Sequence, residues 1–219
     1  MSWLWLLLLP LAAGATSTPK NKTVISTKLE LANLAGHKII FIGDSLSLKG
    51  GPGHFLCDLL EASGATVYRD AVGGRSTSTF ILGSAKLKDK GLTKEEMQAS
   101  ITSKDIDTVV IMLGTNHNPE APSNSKYVRK MLDGYAKASI VWVGPPSFRI
   151  GHKYGSTTID KTAPLVANML DSTVSNFVDA QPITEDMIDV AHRKDGIHFS
   201  KGAKTFAERL YPLVVAYVN

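Results

Sequence analysis

Five short apolar runs punctuate the chain, each nearly continuous: HKIIFIG at 37–43, ATVYR at 65–69, DTVVIMLG at 107–114, SIVWVG at 139–144 and NFVDA at 176–180. Runs of this length and β-branched content fit strands covered on both faces, because a strand with one wet face alternates apolar and polar residues. Between and after them the apolar positions fall at three-and-four spacing, which predicts helices over 52–62, 94–102, 124–137, 160–174 and 201–217. In the last of these Ala203, Phe206, Ala207, Leu210, Leu213, Val214 and Tyr217 share one face, with Ser200 placed as the N-cap. Strand and helix alternating in this way predict an α/β domain, a three-layer αβα sandwich built on a five-stranded parallel sheet with right-handed crossovers. Functional residues of such a sheet collect beyond the carboxyl ends of the strands.

Ahead of the alternating region the pattern changes. Residues Trp3 to Ala13 are mostly apolar and are followed by small residues around Ala13 to Ser17. The stretch is short for a bilayer core of about 30 Å, contains Pro10 and lacks Lys or Arg before it, and residues 1–17 read as a signal peptide. Retention of the same segment as a hydrophobic anchor is the alternative, in which case the protein is held at a membrane or in a particle through residues 3–14. Residues 18–36 are read as a linker, with Asn21 in an NKT glycosylation tripeptide, and 37–219 as one domain. Composition changes the picture little: 43% hydrophobic and 20% charged residues among 219 are ordinary globular values. The net charge of +4 is scattered, so no nucleic-acid arm is indicated. The single cysteine, Cys57, lies at helical spacing with leucines and excludes both an intramolecular disulfide and a cysteine-based zinc site.

The chemistry lies just past the strands, in GDSLS, DAVGGRSTS, LGTNHN, VGPPSF and, before the final helix, DGIHFS. A serine hydroxyl becomes a nucleophile when a base takes its proton, and an imidazole base needs an acid to orient it. Ser45, His198 and Asp195 have the residue types for that set, although each has a plainer reading as helix N-cap, surface histidine and turn aspartate. His192 is a competing base in what reads as a helix end. Attack on a carbonyl creates an oxyanion, for which the backbone N–H groups of Ser45 and Gly74 and the side-chain amide of Asn116 are the candidate donors. Ser45 is expected at a helix N-terminus, whose dipole would assist. Asp44, Arg75, His117, Arg149 and Tyr154 are candidate substrate contacts, with His54 and the rest of the 144–158 loop further possibilities. Arg75 could instead pair with Asp70 or with a phosphate-like group, and the structural role is the favoured one.

These blocks resemble the SGNH hydrolase, or GDSL esterase, superfamily through Ser45 in GDSL, Gly74 in AVGGRSTS, Asn116 in LGTN and His198 in DGIH, with Asp195 three residues ahead of the histidine. The resemblance runs from about residue 38 to 217. It implies a flavodoxin-like sheet, no metal or cofactor, and ester or thioester hydrolysis through an acyl-enzyme. AVGGRSTSTF is more narrowly similar to rhamnogalacturonan acetylesterases and related carbohydrate deacetylases. Two features depart from related patterns: His117 stands where an acid usually follows the asparagine, and GDSLS lacks the second glycine of the α/β-hydrolase elbow. The polar loops around the expected site favour small acyl groups on a polysaccharide or other polar carrier as substrate. A lysophospholipase or thioesterase for longer chains, and a non-catalytic binding or assembly module on the same fold, are the alternatives.

Overall fold

A computed structural model describes residues 29–82, 106–118, 123–149, 153–154, 157–188 and 195–218. The apolar leader, Asn21, the helix expected at 94–102, His152 and His192 lie outside the described residues.

Strands β1 (Lys38–Gly43), β2 (Thr66–Ala71), β3 (Thr108–Met112), β4 (Ser139–Val143) and β7 (Phe177–Val178) form a parallel sheet in the order β2-β1-β3-β4-β7. That is the flavodoxin-like order, with the first strand flanked by the second and third. Alternate residues of each central strand face opposite ways. Ile39, Phe41, Val110, Met112, Val141 and Val143 pack into one core with Leu56 and Leu60 of α1 (Pro52–Ala62) and Phe206, Leu210 and Val214 of the final helix, Ala203–Val215. Ile40, Ile42, Val109, Ile111 and Trp142 pack into the other core with residues of the helices Ser123–Gly134 and Ile159–Asp171. Both faces of the central strands β1 and β3 are therefore dry, which is why their runs in the sequence are continuous, whereas β2 at the edge is partly exposed. Each fully buried Ile or Val contributes on the order of 2 kcal/mol to holding the layers together.

In chain order the described helices are α1, α2 (Thr77–Leu82), α3 (Ser123–Gly134), α4 (Ile159–Asp171) and α5 (Ala203–Val215), and a two-residue hairpin pairs β5 (Lys153–Tyr154) with β6 (Thr157–Thr158). Helix α2 and the hairpin are additions to the predicted set; α2 reads TSTFIL, whose Ser and Thr residues disguise a helix. The expected N-cap of α5 shifts from Ser200 to Gly202. Tyr211 of α5 ties that helix to its surroundings, its hydroxyl 2.5 Å from Ser63 Oγ and accepting from the Ala32 N–H at 2.8 Å. No helix of the described residues is long and apolar enough to cross a membrane.

Register places the strand ends level. Gly43 lies opposite both Ala71 and Met112, Met112 opposite Val143, and Val143 opposite Val178. The segments beginning at Asp44, Val72, Leu113 and Gly144 consequently leave the sheet along one edge.

Candidate active site

Ser45 opens a single turn of 3-10 helix, Ser45–Ser47, immediately after β1. The turn is capped by Asp44, whose Oδ1 accepts from the Leu46 N–H at 2.9 Å while its carbonyl accepts from Ser47 N–H at 3.0 Å. This corrects the expectation of a helix N-terminus at Ser45: α1 begins at Pro52 with Gly51 as its cap. A three-residue turn has no appreciable macrodipole, so the local cap and close packing set the serine's position. The packing is tight on three sides. A Cβ added at Gly43 or Gly53 would stand 2.2 or 2.3 Å from Ser47 Oγ, and one at Gly51 would stand 2.2 Å from the Leu46 carbonyl oxygen.

His198 reaches the same place from the loop ahead of α5. Its Nδ1 is 2.9 Å from Asp195 Oδ2, and Asp195 Oδ1 accepts from the Ile197 and His198 backbone N–H groups, each at 2.9 Å. Slight burial raises the Asp195 pKa, but those backbone bonds and the His198 ring outweigh it and hold the carboxyl at about 2. An ionised carboxylate can only accept, so the Nδ1 carries the proton and Nε2 is left as the basic nitrogen. Phe199 anchors the loop, its ring centroid 5.0 Å from that of Phe206 of α5 with the planes tilted by 40°. Ser45 and His198 line one cleft of about 260 Å³, together with Leu46, Leu48, Lys49 and Phe199.

The other strand-end residues divide into two groups. Gly74 is exposed and has φ +72°, a conformation that favours glycine even though a Cβ would meet nothing within 4 Å. Asn116 Nδ2 donates to the Arg75 carbonyl at 3.0 Å and to Asp44 Oδ2 at 3.3 Å, joining the ends of β1, β2 and β3. Asp44 is buried, and desolvation raises its pKa to about 6 against the lowering effects of Leu46 N–H, Thr115, His198 and Arg75.

Three candidate substrate contacts turn inward. Arg75 donates to the Asp70 carbonyl at 2.8 Å and to Asp70 Oδ1 at 2.9 Å, with its guanidinium 5.3 Å from the Phe80 ring centroid. His117 is 1% exposed, and its Nε2 accepts from the Thr77 N–H at 3.2 Å. Burial lowers its pKa to about 4, so it is neutral near pH 7. Asp44 is spent on the turn and on Asn116. These three are corrected from cleft-lining to internal residues, since buried polar groups seek internal partners. Arg149 is exposed beyond β4, and Tyr154 lies in β5, where its backbone pairs with Thr157. His54 turns to Arg69, its Nδ1 2.9 Å from Nη1. Lys49, Leu48 and Phe199 were missed as cleft residues; their nearness in sequence to Ser45 and His198 was the available signal.

No family model matches the chain, and no curated protein sequence does. Solved structures do. A protein from Slackia heliotrinireducens, provisionally described as an SGNH hydrolase, superposes with a TM-score of 0.61 at 18% identity, covering 82% of this chain and 98% of the other. The chain has the SGNH hydrolase fold. An acetylxylan esterase from Geobacillus stearothermophilus has a TM-score of 0.55 at 18% identity, over 84% of this chain and 95% of the esterase. The catalytic domain of a peptidoglycan O-acetyltransferase from Streptococcus pneumoniae has a TM-score of 0.54 at 18% identity, over 86% and 94% respectively. At these identities the likeness to SGNH hydrolases is one of fold, and the chemistry rests on this chain's own residues.

Proposed function

We propose that this protein is a serine esterase that removes small acyl groups, acetyl above all, from a polysaccharide or another polar carrier. The observation that carries the reading is the 2.9 Å bond between His198 Nδ1 and Asp195, on a ring that shares its cleft with Ser45. Nε2 of His198 takes the Ser45 proton as Oγ attacks the ester carbonyl, and the imidazolium is stabilised by Asp195. The backbone N–H groups of Ser45 and Gly74 receive the oxyanion, and the Asn116 amide joins them by exchanging its 3.3 Å bond to Asp44 Oδ2 for the developing charge. His198 then protonates the departing alcohol, and water activated by the same ring cleaves the acyl-Ser45 ester, releasing the acid and restoring the serine.

Of two proteins that share the fold, one is named an acetylxylan esterase and the other a peptidoglycan O-acetyltransferase, so both names pair an acetyl group with a carbohydrate-containing polymer, which supports the carrier class. The narrower likeness to rhamnogalacturonan acetylesterases is supported by AVGGRSTSTF, in which Arg75 serves the Asp70 pair. Export through residues 1–17 fits such a carrier and belongs to the same proposal.

Ser45→Ala and His198→Ala are each expected to lower turnover of an activated acetyl ester by roughly three orders of magnitude or more while leaving the fold intact. A fluorophosphonate probe should label wild-type protein and not Ser45→Ala. Undiminished turnover by pure, folded Ser45→Ala protein would refute the mechanism, and a folded wild-type protein that takes no label would favour the binding-module alternative.

A further inference from the structure

We propose that the carrier of the ester is anionic and that Lys49 is the residue that selects it. The inference rests on the function proposed above and names the substrate class of the same site. Leu48, Lys49, Gly50 and Gly51 form a β-turn, closed by a 2.8 Å bond from Gly51 N–H to the Leu48 carbonyl, with Gly50 at φ +82° in the third position. A turn with positive φ only at its third position accepts a side chain at the second, where Lys49 stands. This turn follows directly on the one that carries the nucleophile, since Leu48 N–H donates to the Ser45 carbonyl at 3.4 Å. Two consecutive hydrogen-bonded turns thus hold the lysine backbone against the wall of the cleft that Ser45 and His198 share.

Lys49 is exposed, and the carboxylates of the adjoining elements are engaged elsewhere. Asp44 is buried and accepts from Leu46 N–H and Asn116, Asp195 is bonded to the His198 ring, and Asp58 and Glu61 of α1 bind Arg69 at 2.6 and 2.7 Å. Among the described residues Lys49 has no ion-pair partner, and no acid lines the cleft. At about 260 Å³ the cleft lies below the roughly 300–1,000 Å³ usual for a ligand pocket, so a carrier unit bound there brings its substituents close to the ammonium. An acetyl group has no charge, so the partner that suits Lys49 is a carboxylate or phosphate of the carrier polymer. An ammonium acts as a point charge and takes either anion.

The test compares 3-acetoxybenzoate with 3-acetoxybenzamide, esters of similar size that differ by a single negative charge. The ratio of their kcat/KM values is taken within each protein, so a loss common to both esters cancels. Relative to wild type, this anionic-to-neutral ratio is expected to fall about threefold in Lys49→Gln and about tenfold in Lys49→Glu. In wild type it should drop toward the Lys49→Gln value in about 1 M NaCl, which screens an exposed charge. Acetylated alginate, a polyuronate, should lose acetyl groups faster than equally acetylated dextran; still faster turnover of an acetylated poly(glycerol phosphate) would identify the anion as phosphate. A ratio that moves by less than about 1.5-fold in Lys49→Glu overturns the inference, and so does dextran turned over as fast as both anionic polymers. Where Lys49→Glu does not fold, an unmoved ratio in Lys49→Gln decides in the same way. A wild-type protein that hydrolyses neither small ester and takes no fluorophosphonate label overturns the proposed function instead.

Discussion

Two buried titratable residues near the candidate site pull stability in opposite directions with pH. His117 is pushed down from 6.5 to about 4, so the unfolded chain takes up a proton first as pH falls. Its contribution is fully present above pH 6.5 and is lost on acidification toward 4. Asp44 is pushed up from 3.8 to about 6, so the folded chain keeps its proton to higher pH. Stability from this group is greatest below pH 3.8 and declines as pH rises through 6. Over roughly pH 4 to 6 the two slopes largely offset, each amounting to about 3 kcal/mol over its window. His117→Gln, which keeps a side-chain acceptor for Thr77 N–H, removes one slope. Wild type is expected to lose on the order of 5–10 °C of Tm relative to this variant between pH 7 and pH 4. Parallel melting curves for the two proteins across that range would show that the buried imidazole is not the cause.

At the scale of elements, the turn between β1 and α1 is built by glycines. GDSLSLKGGPG holds four glycines, of which Gly43, Gly51 and Gly53 occupy places where a Cβ would meet the turn within 2.3 Å. The Cβ of Gly53→Ala would also stand 2.9 Å from Ser47 Cα, which is backbone, so the turn carrying Ser45 must move. Expected effects are a loss of at least 10-fold in ester turnover and about 1–3 kcal/mol of stability. Gly134→Ala, at the end of α3, has nothing within 4 Å of its new Cβ and should keep full turnover while stabilising by up to about 1 kcal/mol. Denaturant melts and initial rates on both variants check the contrast; a fully active Gly53→Ala would mean that the turn tolerates displacement. Much of this level was legible in the sequence. The predicted bounds of α1 match those observed, and the central strands are legible because their dry faces leave continuous apolar runs. Helix α2 was hidden because its Ser and Thr residues favour turns and caps, and His117, remote in sequence, supplies an acceptor for its first N–H.

For the molecule as a whole, the cleft bears on acyl length. Of the apolar residues lining it, Leu46 and Phe199 are each 1% exposed and already spent on the core, while Leu48 is 36% exposed. An eight-carbon chain gains about 0.8 kcal/mol for each methylene it buries, and needs open apolar wall to do so. With nitrophenyl esters from acetate to decanoate, kcat/KM is therefore expected to peak at acetate and to fall at least 10-fold by eight carbons. A maximum at eight carbons or more would move the assignment to a lysophospholipase or thioesterase.

The sequence by itself determined the layers, the strand faces and the residue types at the strand ends, because burial periodicity and the chemistry of Ser, His and Asp are local properties. Tertiary structure decided which polar side chains face the cleft and which are consumed inside. Asn116 finds Asp44 across 72 residues and the Arg75 carbonyl across 41, while His117 finds Thr77 across 40. Such pairings depend on the relative register of β1, β2 and β3, and a buried polar group must find its partner wherever that register places one.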